Sequence, residues 1–177
     1  MQACDMIQRC AGILFFRLRK DSEELEFFMV SPGGPAWRNR FAWAPPKGHI
    51  EKTDHDSWDA AKREFEEETG VHIPDTETPK INPILFVQRK DKEVVLYPMD
   101  YDATNVTINI EECHSNMFEW KDGKEYPEVE HYRWLTYDEL KGSVVRAYGE
   151  IIKHIVKMYN ENVWLMPKIK DKTTYVN

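Results

Sequence analysis

The sequence predicts an α/β (α+β) fold in which a β-sheet lies between helices. Two early runs, residues 10–17 (CAGILFFR) and 25–31 (LEFFMVS), are apolar at nearly every position. Strands of that composition are buried on both faces, so the sheet they belong to needs a layer on each side. A first layer comes from a helix carrying Trp58, Ala61 and Phe65 at helical spacing. A second comes from residues 143–159, where Val145, Tyr148, Ile152, Ile155 and Tyr159 mark one apolar stripe.

Taken in order, the polar stretch 19–24 joins the first two strands as a hairpin. Pro32-Gly33-Gly34-Pro35 then breaks the chain. It lacks the Gly-Lys-Ser/Thr ending and the following helix of a phosphate-cradling loop, so it reads as a turn. Asp56 caps the next helix with Asp59 three residues on, and Gly70 stops it. Residues 71–83 form a linker rich in Pro, Thr and Asp. Strands follow at 84–89 and 93–100, joined by the tight turn Lys90-Asp91-Lys92. Residues 103–126 are polar and irregular, either a functional loop or a variable insertion, and Cys113-His114 within them is too little for a metal site. Glu130, Tyr132 and Trp134 alternate as in a strand, and Thr136 with Glu139 opens a short helix. With no repeats, the 177 residues read as one domain, 1–177, with 160–177 as a C-terminal tail.

A net charge of −7 argues against a general nucleic-acid or anionic-membrane binder, because either needs a basic surface. A polyphosphate substrate stays compatible, since bound metal ions invert the local charge. Cys4, Cys10 and Cys113 show no paired spacing, which fits a reducing compartment. The apolar run 11–16 is too short to span a membrane. A cytoplasmic or nucleocytoplasmic protein is the expectation.

The chemistry concentrates in residues 45–71, PPKGHIEKTDHDSWDAAKREFEEETGV. On a helix Glu64, Glu67 and Glu68 stand at i, i+3 and i+4, so their carboxylates share a face and repel one another. A divalent cation relieves that repulsion, and an oxygen-only set points to magnesium, with manganese as a substitute. The competing reading is a solvated acidic face. Solvated helices interleave lysine at i+4, whereas here Lys62 and Arg63 precede the cluster and nothing basic follows it.

This stretch resembles the signature of the Nudix hydrolases. Gly48 opens the pattern, and Arg63, Glu64, Phe65, Glu67, Glu68, Gly70 and Val71 match its second half. The interval from Gly48 to Arg63 is one residue longer than the pattern, so the signature's glutamate falls on Asp54 counted forward or on His55 counted back, and Asp54 is taken as the stand-in. The resemblance implies a Nudix-type αβα sandwich with a mixed sheet, and magnesium held by Glu64, Glu67, Glu68 and the Gly48 carbonyl. It implies a general base among Glu67, Glu68 and Glu128, the last lying six residues before Trp134. Arg63 would orient the glutamates from behind. Lys47 and Arg38 are candidate phosphate contacts and Tyr97 a candidate ring for stacking a base. His49 and His131 receive no role.

Within the family, Arg9-Cys10-Ala11-Gly12, the run from Trp43 to His49 and Tyr132-Arg133-Trp134-Leu135 are similar to asymmetrical diadenosine tetraphosphate hydrolases. The activity this implies is cleavage to ATP and AMP. Other nucleoside diphosphate derivatives, inositol pyrophosphates and capped RNA remain alternative substrates, and a non-catalytic nucleotide-binding module is the alternative outside the enzymes.

Overall fold

The apolar run near the start of the chain becomes the middle of a sheet. In the computed structural model, which describes residues 7–163 and a two-residue strand at 174–175, β1 (Gln8–Leu18) is buried at every position from Cys10 to Phe16. It pairs antiparallel with β2 (Leu25–Pro32) and with the short β3 (Lys47–His49), and parallel with β5 (Lys92–Asp100). β4 (Ile84–Arg89) pairs antiparallel with β5, and β8 (Val129–Thr136) antiparallel with β2. With β9 (Thr174–Tyr175) beside β4, the order is β8-β2-β1-β5-β4-β9, β3 being paired to β1 off this path.

Because side chains alternate along a strand, β1 and β2 feed two separate cores. Leu14, Phe16, Phe27 and Met29 pack with Tyr148, Ile151, Ile152 and Ile155 of α3 (Arg146–Asn160). Ile13, Phe15, Phe28 and Val30 pack with Ala60, Ala61 and Phe65 of α1 (Ser57–Thr69). The expected layers are therefore present. Arg17 and Arg19 both bond to the buried Glu26, and Arg19 continues to Glu139 of α2 (Tyr137–Leu140), which ties the hairpin to the end of β8.

The predicted strands and caps appear within a residue or two of their expected limits. Asp56 accepts from the Asp59 amide and Gly70 adopts φ 73°, and Thr136 with Glu139 forms a full capping box. Residues 103–126 differ from expectation. They hold a two-stranded hairpin, β6 (Phe118–Lys121) and β7 (Lys124–Pro127), outside the main sheet. Its exposed, charge-rich strands carry no buried stripe, so no periodicity announces it. β3 is only three residues long, too short to show a strand pattern in the sequence. The tail expected over 160–177 lies mostly outside the described residues. No helix among the described residues is long and apolar enough to cross a membrane.

Candidate active site

β1 and β2 pair over only Phe16–Leu18 with Leu25–Phe27 and then diverge, and the segment leading into β3 enters the fork. Ala44 bonds to Val30, and the Ile13 amide donates to the Pro46 carbonyl, so residues 44–49 are held between the two strands. This sets Gly48 against α1. Its α-carbon lies so close to the Glu64 carboxylate that a Cβ would overlap the carboxylate atoms, and only glycine fits. One residue away, the Lys47 amide donates to Glu68 Oε2 at 3.0 Å.

Arg63 is the other organiser. Its Nε and Nη2 reach Asp54 at 3.0 and 2.9 Å, Nη2 also donates to the His49 carbonyl at 2.8 Å, and Nη1 lies 2.9 Å from Glu64 and 3.2 Å from Glu67. The guanidinium thus holds the loop 49–54 on one side and two carboxylates on the other. Asp54 also accepts from the Glu51 amide at 2.8 Å. The charge-assisted bond from Arg63 holds the Asp54 carboxyl below the usual carboxylate range. Asp54, and not the exposed His55, is thus the residue of this loop that pairs with Arg63.

The glutamates do not face solvent as a helix-surface reading implies. Glu64 is buried, and Glu67 and Glu68 are half-buried. Burial, opposed by the Arg63 bond and reinforced by the charges of Glu67 and Glu128, raises the Glu64 carboxyl. Burial pushes the Glu68 carboxyl up to about 8 despite the nearby Lys47 charge. Glu128 is raised by burial and by Glu119 and Glu67. The structure therefore brings Glu64, Glu67, Glu68 and Glu128 into one electrostatic cluster, across 60 residues of chain.

Lys47 joins the cluster with its amide, while its ammonium lies 5.8 Å from the Tyr148 ring. Lys92 is a neighbour that sequence reasoning missed: its half-buried ammonium is lowered by burial and by repulsion from Lys47. The basic turn Lys90-Asp91-Lys92 was its only signal. Two candidates are placed elsewhere. Tyr97 is buried under the first turn of α1, its hydroxyl 2.5 Å from Ser57 Oγ and its ring edge-on to Trp58. That tyrosine packs beneath α1 and also lines a cavity with Asp54, His55 and Leu85. Arg38 is exposed in the loop before β3 and makes no hydrogen bond or ion pair among the described residues. Nor do the histidine rings join the carboxylates: His49 Nδ1 lies 3.6 Å from Cys10 Sγ, and His131 packs edge-on to Phe41.

Among the described residues, no three His, Cys, Asp or Glu side chains stand close enough together to hold a metal ion as they are arranged. Arg63 Nη1 lies between Glu64 and Glu67, the place a cation would take. The donor set nonetheless fits a hard divalent cation. It is oxygen-only, and Glu64 faces a glycine whose missing Cβ leaves its carboxylate room.

Fold and site together define a Nudix protein, and the chain belongs to that family, whose NUDIX domain model matches residues 7–155. Among its relatives, the bis(5'-nucleosyl)-tetraphosphatase (asymmetrical) of Rattus norvegicus is 27% identical over 144 residues, 76% of this chain and 82% of the rat protein. In solved structures the fold recurs in a Caenorhabditis elegans Ap4A hydrolase binary complex, with TM-score 0.51 and 19% identity over 87% of this chain and 97% of that one. It recurs also in the NUDIX domain of Shewanella oneidensis NrtR complexed with ADP ribose, with TM-score 0.55 and 17% identity over 85% and 87%. Identities this low carry the fold and leave the ligand open.

Proposed function

We propose that this chain is a magnesium-dependent phosphoanhydride hydrolase that cleaves diadenosine tetraphosphate asymmetrically to ATP and AMP. The observation that supports hydrolysis is the grouping of Glu64, against Gly48, with Glu67, Glu68 and Glu128, each carboxylate within electrostatic reach of another. A module that only senses a nucleotide has no use for clustered carboxylates whose burial and repulsion oppose folding. Similarity to the rat enzyme supports the choice of substrate.

Glu64, Glu67, Glu68 and the Gly48 carbonyl would hold the magnesium, with manganese able to replace it. A bound ion supplies positive charge against the polyphosphate and acidity at a water. The chain's own groups do the rest. One carboxylate of Glu67, Glu68 or Glu128 accepts the proton of the attacking water as its oxygen bonds to phosphorus and the bridging oxygen leaves with the other product. Lys47, whose charge acts on Glu68, would contact a phosphate as a point charge. Arg63, tied to Asp54, keeps Glu64 and Glu67 in place while the local charge changes.

The test is a panel of pyrophosphate-linked compounds incubated with magnesium and resolved by chromatography. ATP and AMP in equal amounts from diadenosine tetraphosphate are the expected products. Two ADP, or faster turnover of ADP-ribose, an inositol pyrophosphate or a capped RNA, would reassign the substrate. No turnover of any compound would reject the hydrolase reading.

A further inference from the structure

The last turn of α1 is poorly suited to hold itself. Glu66, Glu67 and Glu68 crowd it with negative charge at the end where the helix dipole is already negative, and that turn contains no basic residue. Dipole and repulsion both favour fraying, in the turn that carries two of the site's carboxylates. Yet its four terminal carbonyls are all engaged. Glu66 O accepts from the Gly70 amide at 2.8 Å and from Asn116 Nδ2 at 3.2 Å, and Glu67 O from the Asn116 amide at 2.7 Å. Glu68 O accepts from the Tyr132 hydroxyl at 2.8 Å, and Thr69 O from the His114 amide at 3.0 Å. The His114 ring covers Gly70 so closely that a Cβ there would strike it.

The same segment reaches Glu128. The carbonyl of Met117, next in the chain to Asn116, accepts from the Glu128 amide at 2.9 Å and from Ser115 Oγ at 2.8 Å. Glu67 and Glu128, far apart in sequence, are thereby linked through two consecutive residues. Tyr132 is fixed in β8 opposite Val30, so its hydroxyl refers Glu68 to the sheet.

We infer that Tyr132, through its hydroxyl on the Glu68 carbonyl, and Asn116, through its side-chain amide on the Glu66 carbonyl, are positioning residues that clamp the C-terminal turn of α1, the turn that carries Glu67 and Glu68. The inference rests on the proposed magnesium site and hydrolase reading for its effect on metal affinity and turnover, and on the carbonyl bonds alone for its effect on local exchange. Residues 113–117 are then a clamp and not a variable insertion. Neither side chain touches substrate; each acts through α1.

The experiment compares wild type with Tyr132→Phe, Asn116→Ala and the double variant. It measures magnesium affinity by calorimetry on the metal-free protein, amide exchange at residues 67–70, and kcat and KM separately on diadenosine tetraphosphate. Outer-shell partners of a metal site are worth about tenfold or more in affinity or activity. We expect a loss of about that size in magnesium affinity and kcat for the double variant, faster exchange confined to residues 67–70, and little change in KM. Wild-type magnesium affinity and local exchange in a double variant that merely melts lower would overturn the clamp. Tyr132→Phe removes one hydroxyl from a formed strand and carries the same comparison if the double variant does not fold. If wild type cleaves no compound in the panel, the hydrolase reading fails, while affinity and exchange still decide the clamp.

Discussion

Arg63 and Asp54 form a two-bond ion pair, Nε to Oδ1 at 3.0 Å and Nη2 to Oδ2 at 2.9 Å, with the Asp54 side chain only 6% exposed. The neighbouring His55 is exposed. Asp54→Ala frees the guanidinium that holds Glu64 and Glu67, so activity should fall by about tenfold. His55→Ala should leave it nearly unchanged. A larger loss in His55→Ala would show that the loop register is misread; steady-state rates at saturating magnesium decide it.

Glu67→Gln and Glu68→Gln should each lower turnover by roughly two to four orders of magnitude, the scale of losing a general base or a metal ligand. Both variants should fold, because each replaces a carboxyl in a crowded acidic cluster with a neutral amide of the same size. Their melting temperatures without metal should match or exceed wild type. Near-wild-type turnover in both would place the chemistry elsewhere.

Stability of the metal-free protein should depend on pH through Glu68. Its carboxyl moves from an ordinary 4.5 to about 8 on folding, so the folded state holds the proton more tightly than the unfolded one. The stability this contributes is full below pH 4.5 and is lost as pH rises through 8. Glu64 and Glu128 are raised as well and act in the same direction. Glu139 acts oppositely: Arg19 lowers it to about 2, so its contribution is present above its ordinary 4.5 and lost as pH falls toward 2. Thermal melts in chelator should show stability declining from mildly acidic to mildly alkaline pH. Magnesium should restore the alkaline side, and Glu68→Gln should flatten it. A chelated wild type as stable at alkaline as at mildly acidic pH would contradict the carboxyl's burial.

Tyr97 separates packing from binding. Tyr97→Ala removes a buried ring from beneath α1 and should destabilise by about 3 kcal/mol, the cost of emptying an aromatic core site. Among folded molecules KM for diadenosine tetraphosphate should stay near wild type. Tyr97→Phe, which loses only the Ser57 contact, should melt close to wild type. A large rise in KM for Tyr97→Ala with unchanged stability would return the ring to the binding site.

What could be read from the sequence followed from what is local. Helix periodicity and caps located α1, and the double-sided apolar runs located the layered sheet, because both are properties of consecutive residues. Glu64, Glu67 and Glu68 were legible for the same reason. Their burial was not: whether a helical carboxylate meets water or a glycine depends on β3, which reaches them only through the divergence of β1 and β2. Tyr97 looked like a stacking residue because a strand aromatic has the same pattern whether its ring is covered or open. Lys92, Asn116 and the hairpin 118–127 escaped because their partners lie far along the chain and no repeat in the intervening residues encodes them.

The parallel register of β1 with β5, Gln8 opposite Lys92 through Phe16 opposite Asp100, bears on how the protein reaches its working state. This pairing closes a loop that contains Gly48, Asp54, Arg63 and the glutamates of α1. Its closure carries an entropic cost before any contact rewards it, and non-local pairing of this kind is slow. The site is thus assembled by a late, long-range event, not by the helix that carries most of its carboxylates. A chain with α1 formed but β1 and β5 unpaired holds its glutamates in water, without Gly48 or Glu128 opposite them. Cation affinity during refolding should therefore appear together with the central pairing and not with helix formation.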